Sequence, residues 1–366
     1  MIRIDEMYSG VMASWIRRSK PNLRLLYCDP FGRSDPASIQ VNTPKSTNTD
    51  YVLMFDQEPI DYDLHQQTFD QVRYINNDDI HYCSNNKQIG HIVTSEKHSS
   101  QVEELGELYG WKSHYYFFHG WAALDWYRGY NRTNLMLPPN LRSITKTFIM
   151  PNRIIGGRRQ HRLKMLYWIF KYKLMDNYIS CPDICPAEGE SVKDLLLTVA
   201  LMREDAVEVF DSAALPLNMP NEQGHPMHSC WLSLFDESAE CLLYLVTETV
   251  ASGRRQHLTE KIFKPICLRM PFILLGTAGS LEYLRSYGFK TFATLWDESY
   301  DTIEDDDLRI AAIAELLKNI DQLPAAAKQD LFRQCADIIE HNYHHFYSGA
   351  FEEILWQELQ SMLAEF

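Results

Sequence analysis

Short apolar runs alternating with helix-like stretches constrain this chain more than any other feature. Leu23-Arg24-Leu25-Leu26-Tyr27-Cys28 reads as a strand, Tyr51-Val52-Leu53-Met54-Phe55 as a more deeply buried one, Gly90-His91-Ile92-Val93-Thr94 as a third, and His114 to Phe118 as a fourth. Asp56-Gln57-Glu58-Pro59 ends the second strand abruptly, because a residue that precedes proline is pushed out of the helical region. Between the third and fourth strands, the acidic run from Ser95 to Leu108 reads as a helix capped by Ser95. Strand, helix and strand in repetition predict an open α/β sheet.

The pattern then starts again. A polar stretch from Asn131 to Ser143, carrying Pro138-Pro139, has the composition of a linker. Beyond it come a strand at Lys146 to Met150, a Gly156-Gly157 turn and a helix from Gln160 to about Lys173. Further strands are expected at Val207 to Phe210, Leu242 to Val246 and Phe272 to Leu275. Glu260 to Leu268 reads as a helix started by Thr259, with Pro265 as a place to kink. After Asp305 the pattern is helical to the end. A chain of 366 residues exceeds one ordinary core. The expected architecture is therefore α/β with two Rossmann-like halves, 1–140 and 141–340. A C-terminal helix, 341–366, would pack back on the first half. In such a fold ligands bind at the carboxyl ends of strands, in a cleft between the halves.

Several function classes fall away. No G-x-G-x-x-G follows an early strand and no G-x-x-x-x-G-K-[ST] occurs, so dinucleotide dehydrogenases and P-loop enzymes lose their main support. A net charge of −14 disfavours broad, non-specific binding to DNA or anionic membrane. No apolar run reaches the length of a membrane span. The first residues, Met1 to Glu6, lack the apolar core of a signal peptide, so the cytoplasm is the expected address. Of the eight cysteines only Cys181 and Cys185 stand close in sequence. Without a second pair or nearby histidines they read as free thiols rather than zinc ligands. The acidic run Trp296 to Asp307 reads as a solvated loop entering a helix, with a divalent cation as the alternative. The expectation is an enzyme with no metal and no bound cofactor.

Positive charge gathers at Arg153, at Arg158 to Lys164, and at Arg254-Arg255. The last group lies within the segment richest in chemistry. After the strand that ends in Thr247-Glu248-Thr249, a loop leads to Thr259-Glu260-Lys261, with Lys264 one turn further. A helix start offers unsatisfied N–H groups and partial positive charge, to which a first-turn lysine adds a full one. A glutamate at the same point can accept from both hydroxyls of a ribose. The combination suits a nucleoside diphosphate; the alternative is a solvated helix face.

Glu248, then Leu258-Thr259-Glu260-Lys261-Ile262, then Pro271-Phe272-Ile273-Leu274-Leu275-Gly276, resembles the donor-binding motif of the alpha-1,3-fucosyltransferase family. That family shows E-N-S, a gap, Y-x-T-E-K, and later V-P-V-x-x-G. Here Thr249 and Val250 replace N-S, the gap is longer, and Met270-Pro271-Phe272 stands for V-P-V with one extra residue before Gly276. The resemblance covers the stretch around 248–276 and is loose elsewhere. It implies a GT-B glycosyltransferase whose second half is the donor domain and whose first half holds the acceptor. It further implies that Glu260 holds the ribose and Lys261 the diphosphate. An arginine following the first strand of the donor domain would face the same diphosphate, a position matched by Arg153 or Arg162. Glu248, Thr249, Arg254, Thr259 and Lys264 complete the expected donor site.

Inverting transfer needs a group that takes the acceptor hydroxyl proton. The resemblance places a glutamate in the first half, and Glu58 is the favoured match; Asp56 and His119 are the alternatives. Trp121 and Trp126 read either as an aromatic platform for the acceptor or as core anchors. The expected acceptor is a glycan, followed by hydroxymethylated DNA bases, since phage DNA-modifying glycosyltransferases share the GT-B fold. A nucleotide-binding protein without catalysis is the alternative of another class.

Overall fold

The structure is a computed structural model that describes residues 3–20, 23–27, 50–60, 89–132, 138–152, 154–156, 159–185, 189–200, 205, 208–209, 215–222 and 231–366. The chain forms two compact units. Unit 1 comprises Met1–Asp125, Arg254–His257 and Glu352–Phe366; unit 2 comprises Trp126–Gly253 and Leu258–Phe351. The first passage between them therefore falls at Asp125, ahead of the polar stretch at 131–143. The C-terminal segment groups with unit 1, as does a four-residue strap.

Unit 1 holds a four-stranded sheet of β1 (Leu23–Tyr27), β2 (Asp50–Phe55), β3 (Ile89–Thr94) and β4 (Lys112–Tyr115). All pairings are parallel and the spatial order follows the chain. Val52, Leu53, Met54 and Phe55 are all buried, the continuous apolar run that a strand covered on both faces requires. The helix before β4 runs Ser100–Tyr109, and its cap is Ser99 rather than Ser95. Ser99 accepts from the Val102 N–H, whereas Ser95 is four residues too early to reach the helix's orphan donors. The fourth strand also stops earlier than its apolar pattern suggests. Phe118, expected in the strand, instead begins the helix Phe118–Trp126.

Unit 2 contains β5 (Lys146–Pro151), β6 (Tyr178–Ser180), β7 (Cys241–Thr247) and β8 (Phe272–Leu275). They form a parallel sheet in the order β6-β5-β7-β8. The chain thus lays β6 on one side of β5 and then returns to add β7 and β8 on the other. That reversal makes the β5/β7 boundary a topological switch point, where the loops leaving the two carboxyl ends diverge and open a crevice. Every residue of β7 is buried, as befits the centre of the sheet. The helices Gln160–Lys171 and Asp306–Asp321 pack on one another, and further helices run from Ala325 to Ala364.

Two expectations need correction here. Of the strand expected at 207–210, residues 208 and 209 are helical, and the Val209 N–H donates to the Asp205 carbonyl; 207 and 210 lie outside the described residues. The helix expected at 260–268 is a 3₁₀ turn, Glu260–Ile262, followed by a short α-helix, Phe263–Cys267. Pro265 is the third residue of that helix, where its missing N–H removes no helical bond and no kink is needed.

Candidate functional site

The switch point of unit 2 gathers most of the donor-site residues that the sequence singled out. Continuing the β5/β7 register, Ile149 opposite Tyr244, by three residues sets Asn152 against Thr247. The Thr247 hydroxyl donates to Asn152 Oδ1 at 2.5 Å, and the Asn152 N–H donates to Ser180 Oγ at 2.7 Å. Both side chains are buried.

Glu248 follows immediately and is wholly buried. Its Oε1 accepts the Thr259 N–H at 3.2 Å, and its Oε2 accepts the Thr259 hydroxyl at 2.5 Å and the Thr249 N–H at 3.3 Å. Burial pushes its carboxyl above the usual range, against the opposing pull of Lys261 and the Thr259 hydrogen bonds. Gly276, at the end of β8, lets this packing close. A Cβ there would meet Ser280 Oγ at 2.6 Å and lie 3.8 Å from Glu248 Cγ.

Thr259 is also the cap of the 3₁₀ turn, accepting the Lys261 N–H at 3.4 Å. Lys261 Nζ lies 3.0 Å from Thr249 Oγ1, 3.2 Å from Thr259 Oγ1 and 3.0 Å from Glu260 Oε1. Three N–H groups thus face three oxygens. The Glu260 side chain is nearly buried while that of Lys261 is 28% exposed, so the ammonium is the member open to solvent. Lys264, on the following helix, is half-buried.

Arg162 sits in the same place with a different task. Its Nη1 donates to the Ile154 carbonyl at 2.6 Å, and its Nη2 to the carbonyls of Thr247 and Glu248 at 3.0 and 3.3 Å. It braces the end of β7 to the loop after β5, so its two terminal nitrogens are not the outward fork that the resemblance implies. Burial, and then Arg159, pull the guanidinium down to about 9, which leaves it charged at neutral pH. The site receives its charge rather than its fork. His161 Nε2–H donates to the Glu248 carbonyl, 2.9 Å away, and burial holds its ring well below the usual imidazole range.

Arg153 is outside the described residues. Arg254 is exposed and groups with unit 1, where its carbonyl accepts the Ser100 N–H at 3.1 Å. In the same strap Arg255 donates to the Ile60 carbonyl at 2.7 Å and lies 3.4 Å from Glu96 Oε2. Longer spacing between Glu248 and Thr259 is what allows this segment to leave unit 2.

In unit 1, Asp56 is buried and accepts the Tyr116 hydroxyl at 2.5 Å, while Glu58 is half-buried two residues on. His119 is not at a strand end. It lies inside the helix Phe118–Trp126, buried, with its ring edge-on to His257 at 5.1 Å. Trp121 is 1% exposed and packs edge-on against Trp356, 4.8 Å between ring centroids, which is the core-anchor role. Trp126 is half-buried and is the first residue of unit 2. Five positions on one helix lie about 140° apart, so the two tryptophans do not share a face for an acceptor to stack on.

Sequence reasoning missed Glu96, Arg309 and Asp301. Glu96 is buried on the loop after β3; it accepts the Ser99 hydroxyl at 2.7 Å and the Ile60 N–H, and burial raises its carboxyl despite Arg255. Ser-Glu-x-x-Ser after an apolar strand was the available signal. Arg309 is buried and donates to the carbonyls of Gly276, Ala251, Ile303 and Glu304 at 2.5–3.2 Å, tying the loops after β7 and β8 together. Within the acidic run, Asp301 and Asp305 serve as helix caps. The described residues bring no three His, Cys, Asp or Glu side chains together in a form that could hold a metal ion. Cys181 and Cys185 are buried, and the Cys185 sulfur accepts the Gly156 N–H at 3.4 Å.

No family model matches the chain, and no curated protein matches it in sequence. Among solved structures it is similar to a trehalose-6-phosphate synthase, OtsA, at 12% identity and a TM-score of 0.36, over 84% of this chain and 67% of that one. At that TM-score the likeness leaves the functional reading to the residues of the site.

Proposed function

We propose that the protein is a GT-B glycosyltransferase that moves a hexosyl or fucosyl group from a nucleotide-diphosphate sugar to an acceptor hydroxyl, with the donor held by unit 2. The carrying observation is the Glu248–Thr259–Lys261–Glu260 assembly beside the switch point, where open α/β sheets take their ligands. Glu248 fixes Thr259, Thr259 caps the turn, and the turn presents an acid and an ammonium side by side. On donor binding Glu260 exchanges its lysine for the ribose hydroxyls. Lys261 exchanges its oxygens for those of the diphosphate, supported by the positive charge of Arg162.

In the reaction the acceptor oxygen attacks the anomeric carbon and the bond from that carbon to the phosphate oxygen breaks. The nucleoside diphosphate leaves with the electron pair, and its developing charge falls next to Lys261. The acceptor proton passes to a carboxylate of unit 1, for which Glu58, half-buried at the carboxyl end of β2, is our choice. Attack opposite the leaving group inverts the anomeric centre, and a glycan hydroxyl is the acceptor we favour.

The test is a panel of nucleotides and nucleotide sugars, read by thermal shift and by release of nucleoside diphosphate. One nucleotide class should raise the melting temperature, and its sugar should be hydrolysed slowly without an acceptor. If no member of the panel raises the melting temperature or is turned over, the reading fails.

A further inference from the structure

Asn152 carries a buried amide nitrogen, Nδ2, that has no hydrogen-bond partner among the described residues, at the switch point itself. An unsatisfied buried donor is costly to fold around, so its place calls for an oxygen that arrives from outside the chain. The orientation of the amide follows from its neighbour. At 2.5 Å the contact with the Thr247 hydroxyl is short for an N–H···O bond and fits an O–H···O bond, so Oδ1 faces Thr247 and Nδ2 faces away. A second orphan lies beside it. Arg162 Nε is also buried without a partner, and Arg162 reaches the same residue through the Thr247 carbonyl. Among the described residues no carboxylate forms an ion pair with the Arg162 guanidinium, whose hydrogen bonds run to main-chain carbonyls. Two unused donors and a positive charge, offset in part by Glu248 and Glu260, therefore stand around Thr247.

We infer that Asn152 is a further donor-binding residue, its Nδ2–H donating to a phosphate oxygen of the nucleotide diphosphate. This rests on the donor-site reading of unit 2 and assigns to it a residue for which the motif around Glu248 to Lys261 gives no role. An anion is the class of ligand that answers both the orphaned donors and the charge. Thr247 acts as its positioning residue, holding the amide so that the nitrogen rather than the oxygen faces the ligand.

Asn152→Asp is the discriminating variant. It keeps the oxygen that Thr247 needs and turns the ligand-side donor into an acceptor. Binding of GDP, UDP and dTDP, and of the matching nucleosides, is measured by calorimetry on the full chain. For the diphosphate that the unaltered protein binds, Asn152→Asp should weaken affinity roughly 10-fold or more, with nucleoside affinity unchanged. Thr247→Val, which keeps the shape and frees the amide to flip, should weaken the same diphosphate by roughly 3- to 10-fold, again without touching the nucleoside. It decides the matter alone if Asn152→Asp fails to fold. Unchanged diphosphate affinity in the folded variants would overturn the assignment and leave the donor site standing. Equal loss of nucleoside and diphosphate would overturn it too, as the mark of a structural role. Absence of any diphosphate binding by the unaltered protein would remove the donor-site reading and this inference together.

Discussion

Thr259 gives both of its hydrogen-bond donors to the two carboxylate oxygens of Glu248, the N–H at 3.2 Å and the hydroxyl at 2.5 Å. Eleven residues separate them in sequence, and the intervening loop leaves unit 2 and returns between them. The pair closes that excursion. It also fixes the turn on which Glu260 and Lys261 stand.

The closure should be measurable. Thr259→Val removes the hydroxyl from a buried carboxylate and from the Lys261 N–H, and is expected to cost about 1–3 kcal/mol of stability. Thr259→Ser keeps the bonds and should recover most of it. Chemical denaturation of the three proteins reads the difference; a Val variant as stable as the parent would mean that Glu248 is held by other contacts.

Lys261→Ala should weaken nucleoside diphosphate affinity by roughly 10- to 100-fold, because it removes the solvent-facing full charge of the site. Calorimetric titration checks it. Affinity equal to that of the parent would end the donor-site reading, whatever the acceptor proves to be.

Asp301 should matter for stability rather than for metal. The helix Ser280–Ser286 begins after Gly279, whose φ of 79° suits a residue without Cβ but which has no side chain to cap with. Asp301 supplies the cap from outside, accepting the N–H groups of Leu281 and Glu282 at 2.9 and 3.2 Å. Asp301→Ala should lower stability by about 1–2 kcal/mol, while added divalent cations leave the parent's melting temperature unchanged. A metal-dependent rise lost in the variant would contradict this.

Acid should loosen the C-terminus of unit 1. His114 Nε2 lies 2.8 Å from His91 Nδ1, its Nδ1 lies 3.1 Å from Glu365 Oε2, and the Phe366 ring packs on both imidazoles. Lys112 faces the same glutamate at 3.9 Å. Burial, then His91, holds His114 at about 4 against an ordinary 6.5, although Glu365 pulls the other way. Between those values the unfolded chain binds the proton more readily than the folded one. The stability is therefore fully present above about 6.5 and drains as pH falls toward 4, by on the order of 1–3 kcal/mol. His114→Gln should flatten that part of a pH-stability profile; an unchanged slope would place the titration elsewhere.

The sequence by itself determined what is local. The apolar runs of β2, β5, β7 and β8 are short and uninterrupted, so period and length suffice to read them, and Thr259-Glu260-Lys261 is a cap and first turn written in adjacent residues. Boundaries moved at Ser99, where the cap hydrogen bond to Val102 decides the helix start, and at Phe118, where the chain has already left the strand for a helix. What only the tertiary structure decided depends on which distant backbones meet. Asn152 and Thr247 are 95 residues apart, Arg309 and Ala251 are 58 apart, and neither pair carries a local signal. The order β6-β5-β7-β8 brings the first pair face to face, and the helix Asp306–Asp321 delivers Arg309 to loops that would otherwise keep unpaired carbonyls. Chain order names the strands; sheet order, set by which faces must be buried together, decides where their ends form a site.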